Sequence, residues 1–451
     1  MFKKLSFIMA VLMLTLVSGV NAQVTTSSMG GMITDSQDEP VIGATVRIVH
    51  EPSGTQYNTV TNMNGQYSVQ GMRVGGPYKV TISYLGSTTQ TFTGVTLQLG
   101  ETYRLNAKMK ENADMLEEVV VTGKQTKFHT MKTGAATNIT SAQITSMPTV
   151  NRSITELTRL SPYGGNGMTF AGSDGRTANF TVDGADFNNN FGLSDGLPGG
   201  GNPISLDAIE EAQVVISPYD VRQTNFIGGG VNAITKSGTN TFKGTAYVYH
   251  KNENMMGDAI YGEQIAGARE KSSETTYGFT NYEEVKIPTV ANRWRASENG
   301  VADPNNYISR TTLADMQKVS EHVMNKYGYD TGSWTNFPAD KNNRKILARL
   351  DWNITNNHHL ALRYNHTLNK NWMSPNATSM DGGTRASGAR MSQYSMAFAN
   401  SMYSLENKVN SWSLDLNSRF GEKLSNQLLA TYSQLDDVRG TDSSDFPFID
   451  I

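Results

Sequence analysis

Residues 345–365 read KILARLDWNITNNHHLALRYN. Ile346, Ala348, Leu350, Trp352 and Ile354 alternate with Lys345, Arg349, Asp351 and Asn353. After a turn at 355–358, Leu360, Leu362 and Tyr364 alternate with Ala361, Arg363 and Asn365. Successive side chains of a strand point to opposite faces, so period two means a hairpin with one apolar and one polar face. A second hairpin repeats the pattern: Trp412, Leu414 and Leu416 against Ser413, Asp415 and Asn417, a turn at 421–423, then Leu428, Ala430 and Tyr432 against Gln427, Thr431 and Ser433. A further strand near 242–250 carries Tyr247 and Tyr249 on one face and Ala246 and Val248 on the other, and its outward face stays open. This reading gives five strands after residue 240, with a long connection over 251–343. Alternation alone does not choose which face is dry, so a soluble sandwich and a membrane-spanning sheet both fit.

Composition narrows the classes. The 451 residues hold 38 Lys plus Arg against 41 Asp plus Glu, a net charge of -3, which gives no electrostatic footprint for nucleic acid. There is no cysteine, which excludes disulfides, thiolate nucleophiles and Cys-ligated metals. Glycine reaches 42 and apolar residues only 37%, a balance suited to a turn-rich, mainly β protein. The seven histidines lack metal-ligand spacing, and His358 and His359 are expected in a tight turn. Asp183 and Asp186 with Asn188, Asn189 and Asn190 lack the bidentate Glu of a calcium loop and read as an Asx-rich turn. No catalytic frame is found, so the expectation is no enzyme, no cofactor and no metal.

The first 22 residues read as a signal peptide: Lys3 and Lys4, an apolar run from Leu5 to Val17, then Val20-Asn21-Ala22 as a cleavage site before Gln23. Residues 23–113 alternate in short runs, with Ile42, Ala44, Val46 and Ile48; Tyr67 and Val69; Val80, Ile82 and Tyr84; and Tyr103, Leu105, Ala107 and Met109 at apolar positions. Asp38-Glu39-Pro40, Pro52-Ser53-Gly54, Asn62-Met63-Asn64-Gly65 and Gly75-Gly76-Pro77 supply the reversals of a small β-sandwich. The runs at 30–35, 40–46 and 64–69 resemble the transthyretin-like, carboxypeptidase-regulatory-like domain. In that family a Thr-Asp pair usually opens the middle turn, where this chain has Thr61-Asn62.

Residues 114–133 carry Glu117-Glu118-Val119-Val120-Val121-Thr122, an extended, β-branched segment followed by a polar stretch. Residues 134–240 read as an α/β globule with a Ser153/Glu156 capping box opening a helix and a strand at 212–216. Three of its pieces, 175–184 with Arg176, Asp183 and Gly184, 209–214, and 228–240 ending in Gly238-Thr239-Asn240, resemble the plug domain of TonB-dependent outer-membrane transporters, most closely the Oar-like group. In this order, Glu117, Glu118, Val119, Val120, Val121 and Thr122 resemble the TonB box.

The resemblance implies a receptor whose N-terminal domain lies in the periplasm, whose plug fills a β-barrel embedded in outer-membrane lipid, and whose tag is engaged by the periplasmic TonB complex through strand addition. It implies uptake of an external ligand, unidentified by any motif. Residues 241–451 would be the first strands of that barrel with long external loops, both tight turns on the periplasmic side and Trp352 and Phe420 at the inner interface. The family's barrel has about 22 strands and closure needs at least ~8, so the chain is expected to be C-terminally truncated, its tail from Asp436 an external loop. A rival reading is a surface adhesion protein that binds through Tyr261, Tyr277, Phe279, Trp294, Tyr307, Tyr329 and Trp334 without transport.

Overall fold

The computed structural model describes residues 24–111, 119–122, 130–131, 134–165, 167–188, 197, 202–218, 223, 228–264, 272–290, 293–335, 337–373, 391–421 and 424–447. The expected signal peptide lies outside them.

The N-terminal unit is a two-sheet sandwich. One sheet runs Thr130–Met131, Thr102–Arg104, Ser27–Thr34, Gln66–Met72, and the other Thr55–Val60, Thr45–His50, Gly75–Ser83, Gln90–Leu97, Val119–Thr122. Val46, Ile48, Tyr57, Tyr78, Val80 and Ile82 from the second meet Met29, Ile33, Val69 and Tyr103 from the first in one buried core. Ile42 departs from the expected strand: it is exposed in the turn before Thr45–His50, and Tyr84 is exposed just past Ser83. The Thr61-Asn62 turn closes without a carboxylate. Thr61 Oγ1 donates to Val41 O at 2.6 Å, and Asn62 Oδ1 accepts from the N–H groups of Asn64 and Gln66 at 2.9 and 3.0 Å.

The second unit has a sheet in the order Gly134–Thr140, Ile209–Pro218, Gly230–Thr235, Asn179–Val182, Ala185–Asp186. Its capping box falls at Thr140 and Gln143, opening the helix Ser141–Ser146, and not at Ser153. Ser153 instead caps the short helix Ile154–Leu157 through the Thr155 N–H at 3.3 Å, while Glu156 reaches back to the Asn151 N–H at 3.1 Å.

The third unit is a seven-stranded antiparallel sheet: Ala246–Asn252, Ser273–Phe279, Tyr282–Val290, Pro338–Thr355, His358–Met373, Tyr403–Phe420 and Leu424–Gly440, each paired with the next. Two strands of this sheet, Ser273–Phe279 and Tyr282–Val290, therefore lie inside the expected 251–343 connection. Their mixed charged and aromatic residues, such as Glu283, Glu284 and Lys286, hide the apolar period. The last strand likewise runs through Asp436 to Gly440, within the expected tail. The tight turns at 280–281 and 356–357 and the strand ends Phe420 and Leu424 share one end of the sheet, and the strand ends that flank the long connections share the other. The 291–337 connection holds the helix Leu313–Tyr327, opened by Thr312 Oγ1 accepting from the Asp315 N–H and stopped at Gly328 in the left-handed conformation.

The faces of this sheet are inverted relative to a water-soluble one. Leu350 and Trp352 are 59% and 57% exposed, and Ile346, Ile354, Trp412, Phe420, Leu424, Leu428 and Tyr432 are exposed beside them. On the other face Lys345, Arg363, Asn365, Thr367, Ser413 and Asp415 are buried. Tyr364, Trp412 and Tyr432, in register across three strands, stack in a row with ring centroids 5.3 and 5.6 Å apart. The outward apolar positions from Ile346 to Ile354 sit toward the tight-turn end, and a tilted membrane strand needs about 9–11 residues.

Candidate functional site

The polar face of the large sheet holds the second unit, and the contact is ionic and hydrogen-bonded as well as apolar. The turn at Asp183 and Gly184 joins Asn179–Val182 to Ala185–Asp186, with φ of 50° and 80°. Both residues are left-handed, as a two-residue hairpin loop demands, which explains Asp-Gly there. The turn buries the Asp183 carboxylate, which accepts from Thr235 N–H at 3.0 Å and Thr235 Oγ1 at 2.6 Å and lies 3.5 Å from the Arg363 guanidinium of the sheet. Ser413 Oγ donates to the Asp183 carbonyl at 3.1 Å, and Arg363 also reaches Asp415 at 3.7 Å. Asp183 thus joins the globule to the sheet, and Asp186 Oδ1 accepts from the Asn188 N–H at 2.7 Å.

A second contact centres on Glu283, fully buried in the strand Tyr282–Val290. It pairs with Lys345 at 2.5 Å and accepts from Tyr247 OH at 2.7 Å and Ser205 Oγ at 3.0 Å. Arg152 of the globule lies 3.7 Å from Glu283, bonds Asp207 at 2.5 Å and packs over the rings of Tyr247 and Tyr249 at 4.7 and 4.5 Å. The two tyrosines therefore face the globule and Val248 faces out, which settles the orientation left open by the sequence. Leu347 and Val409 extend the globule's core onto the sheet.

The glycine run before Val231 has a steric cause. A Cβ on Gly229 would lie 2.6–2.7 Å from the ring and Cβ of Phe170, itself fully buried. Gly238 donates its N–H to Asp351 Oδ2 at 2.7 Å, and the Asn240 N–H donates to Pro52 O at 2.9 Å, so the end of this motif ties the globule to both neighbours. Arg176 lies in the 3-10 turn Gly175–Thr177.

The sandwich docks at the tight-turn end of the sheet. Arg73 pairs with Asp351, Thr55 Oγ1 donates to Asn353 at 3.1 Å, Arg419 donates to Asn58 O at 2.7 Å, and the Tyr57 ring lies 5.2 Å from His359. His359 thus belongs to a buried contact rather than to the expected turn. Glu211 joins sandwich to globule: its carboxyl accepts from the Leu99 N–H at 2.9 Å and from Asn138 Nδ2 at 2.7 Å. Burial is the main cause that pushes its pKa up to about 8.

Of the tag residues, Glu117 and Glu118 lie outside the described residues. Val119–Thr122 is a strand, parallel to Gln90–Leu97 at the edge of the sandwich, with Val119, Val120, Val121 and Thr122 opposite Gln90, Thr91, Phe92 and Thr93. Further along, Thr130–Met131 pairs antiparallel with Thr102–Arg104 in the other sheet. Arg73, Arg152, Glu211 and Glu283 were not singled out by sequence. Each has its partner remote in the chain.

Residues 14–110, which span the N-terminal sandwich, match the family model of the carboxypeptidase regulatory-like domain. Comparison with curated proteins gives no match. Among solved structures the chain is similar to the outer membrane transporter YddB from Escherichia coli, at 11% identity over 68% of this chain and 40% of that one, with a TM-score of 0.46. It is similar to the siderophore receptor PirA from Pseudomonas aeruginosa at 12% identity over 68% and 42%, TM-score 0.38. A third similarity, to catechol 1,2-dioxygenase from Acinetobacter radioresistens, is 13% identical over 22% and 58%, TM-score 0.17. The chain spans 40% of the length of the transporter.

Proposed function

We propose that the chain acts in a TonB-dependent outer-membrane receptor, with the sandwich in the periplasm, the globule as plug and the seven-stranded sheet as barrel wall. The observation that carries this reading is the inverted sheet: exposed Leu350, Trp352, Leu428 and Tyr432 on one face, and buried Arg363, Asp415, Lys345 and Glu283 against the globule on the other. Exposed apolar strands are stable against hydrocarbon, and charged side chains are stable inside only where a plug pairs them. The tight turns and the docked sandwich share one end, which is then the periplasmic one. An external ligand would bind on the long-connection side, and pulling on the tag would remodel the plug.

The rival adhesion surface is not favoured. Tyr277 and Phe279 lie in a strand, and Tyr277 OH bonds Glu284. Trp294 packs edge-on to Tyr307 at 5.6 Å, Tyr329 stacks on Phe446 at 4.1 Å, and Trp334 meets Phe398 at 5.9 Å. Trp294, Tyr307, Tyr329 and Trp334 are thus tied into the loops, which leaves Tyr261 and Phe279 as the exposed members of the set.

Topology is tested by labelling in whole cells, since the chain has no cysteine of its own. A membrane-impermeant maleimide should label Tyr261→Cys from outside and Met63→Cys only after the outer membrane is permeabilised; both residues are exposed. Equal labelling of both in intact cells would refute the proposed orientation. The tag is tested by Val120→Pro against Val120→Thr: strand addition works through main-chain groups, so the proline variant should lose cross-linking to TonB and the threonine variant keep most of it.

A further inference from the structure

The tag segment is fixed to its own sandwich at successive points. Glu111 bridges to Ser87, Val119–Thr122 extends one sheet beyond Gln90–Leu97, and Thr130–Met131 extends the other beyond Thr102–Arg104. On this side of the sandwich both sheets therefore end in strands supplied by the segment that leads to the plug. Among the described residues the other neighbour of Gln90–Leu97 is Gly75–Ser83, so its second edge is the docking surface for the tag.

We propose that this sandwich edge is a reversible latch: it binds Val119–Thr122 by strand addition, and the tag exchanges between the Gln90–Leu97 edge and the edge strand of TonB. The inference rests on the reading of Val119–Thr122 as the TonB-binding segment. Three features support it. The ladder covers four residue pairs and is parallel, the weaker of the two kinds of pairing. It is thus short enough to be exchanged for another edge. Its affinity comes from the same main-chain donors and acceptors that strand addition to a partner would use. The sandwich is itself held to the sheet by Arg73 and Asp351 and by Arg419 and Asn58, so a pull on a docked tag is borne by the sandwich and the sheet, and reaches the plug strand Gly134–Thr140 only after the tag and Thr130–Met131 are released. An accessory domain at this place in the chain then has a task, which is to keep the tag in hand until the energised partner takes it.

The test is a disulfide lock in the full chain. Thr93 and Thr122 are register neighbours in adjacent strands. Strands lie about 4.8 Å apart, inside the Cα separation of about 4.4–6.8 Å that a disulfide spans. In a Thr93→Cys/Thr122→Cys variant, mild oxidation should close the bond in most molecules. Binding to the purified periplasmic domain of TonB should then fall at least tenfold and return on reduction with dithiothreitol, while the two single-cysteine variants stay unchanged. A pair that does not close in folded protein would overturn the docking, and a closed pair that binds TonB as well as the reduced form would overturn the exchange. Val120→Pro without the cysteines separates the two levels. If it leaves TonB binding intact, the tag reading fails and the exchange with it. If it abolishes TonB binding while the lock has no effect, the latch alone fails.

Discussion

Arg73 of the sandwich and Asp351 of the seven-stranded sheet form an ion pair across 278 positions of sequence. The same carboxylate accepts from Arg349 at 2.8 and 3.0 Å and from the Gly238 N–H at 2.7 Å. One buried side chain therefore receives donors from all three units, which makes it the junction of the molecule.

Removing that carboxylate leaves two guanidinium groups with little solvent around them. Asp351→Asn should lower the unfolding free energy in detergent by about 3–5 kcal/mol, the usual cost of breaking a buried pair from one side. Arg73→Met should cost less, because Arg349 and Gly238 still serve the carboxylate. Denaturant titration of both variants, with hydrogen exchange at the sandwich as a second readout, checks the order.

Glu211 should make the joint between the sandwich and the globule pH-sensitive. Burial holds its folded pKa near 8, above the ordinary 4.5, and Glu101 and Glu210 add in the same direction. The folded state thus binds the proton more tightly than the unfolded one. Its contribution to stability is greatest below pH 4.5 and declines up to pH 8, by up to about 1.4 kcal/mol per pH unit. Glu211→Gln should flatten that decline, read as the difference in thermal midpoint between pH 5 and pH 9.

His50 gives the opposite sign. Its buried ring, 2.6 Å from Ser53 Oγ and 4.8 Å from the Tyr78 ring, has its pKa lowered to about 4, first by burial and then by Arg73, with Asp351 opposing. Stability from the neutral ring is complete above pH 6.5 and lost as the pH falls towards 4, about 3 kcal/mol in all. Sandwich-specific hydrogen exchange should accelerate over that window in the native chain and much less in His50→Gln.

The apolar face is checked by charge. Leu350→Arg, in the middle of the outward band, should destabilise insertion into vesicles by about 2–4 kcal/mol, the cost of a basic side chain near the bilayer midplane. Thr431→Arg, on the other face of the strand Leu424–Gly440, should cost well under half of that. Urea titration of vesicle-inserted protein measures both.

The period-two runs of residues 345–365 and 412–432 made the two hairpins legible, because strand geometry forces alternation wherever the two faces meet different media. The sandwich was legible for the same reason, with Asn62 and the Gly65 turn marking its reversals. The strands Ser273–Phe279 and Tyr282–Val290 were not, since their inward residues serve buried pairs and their outward residues are mixed. The capping box was misplaced from Thr140 to Ser153 because a Ser-x-x-Glu pattern states only what could bond, and Glu156 bonds Asn151 instead.

The sequence carried the local part: the alternation in 345–365, in 412–432 and in the sandwich, and the turns between those runs. Only the tertiary structure decided the partners. Nothing in the chain near Arg73 names Asp351, nothing near Asp183 names Arg363, and nothing in Val119–Thr122 names the Gln90–Leu97 edge. Pairing of charges and of strand edges depends on distances set by the packing of remote segments, whereas alternation and turn chemistry are fixed by neighbours one to four positions away.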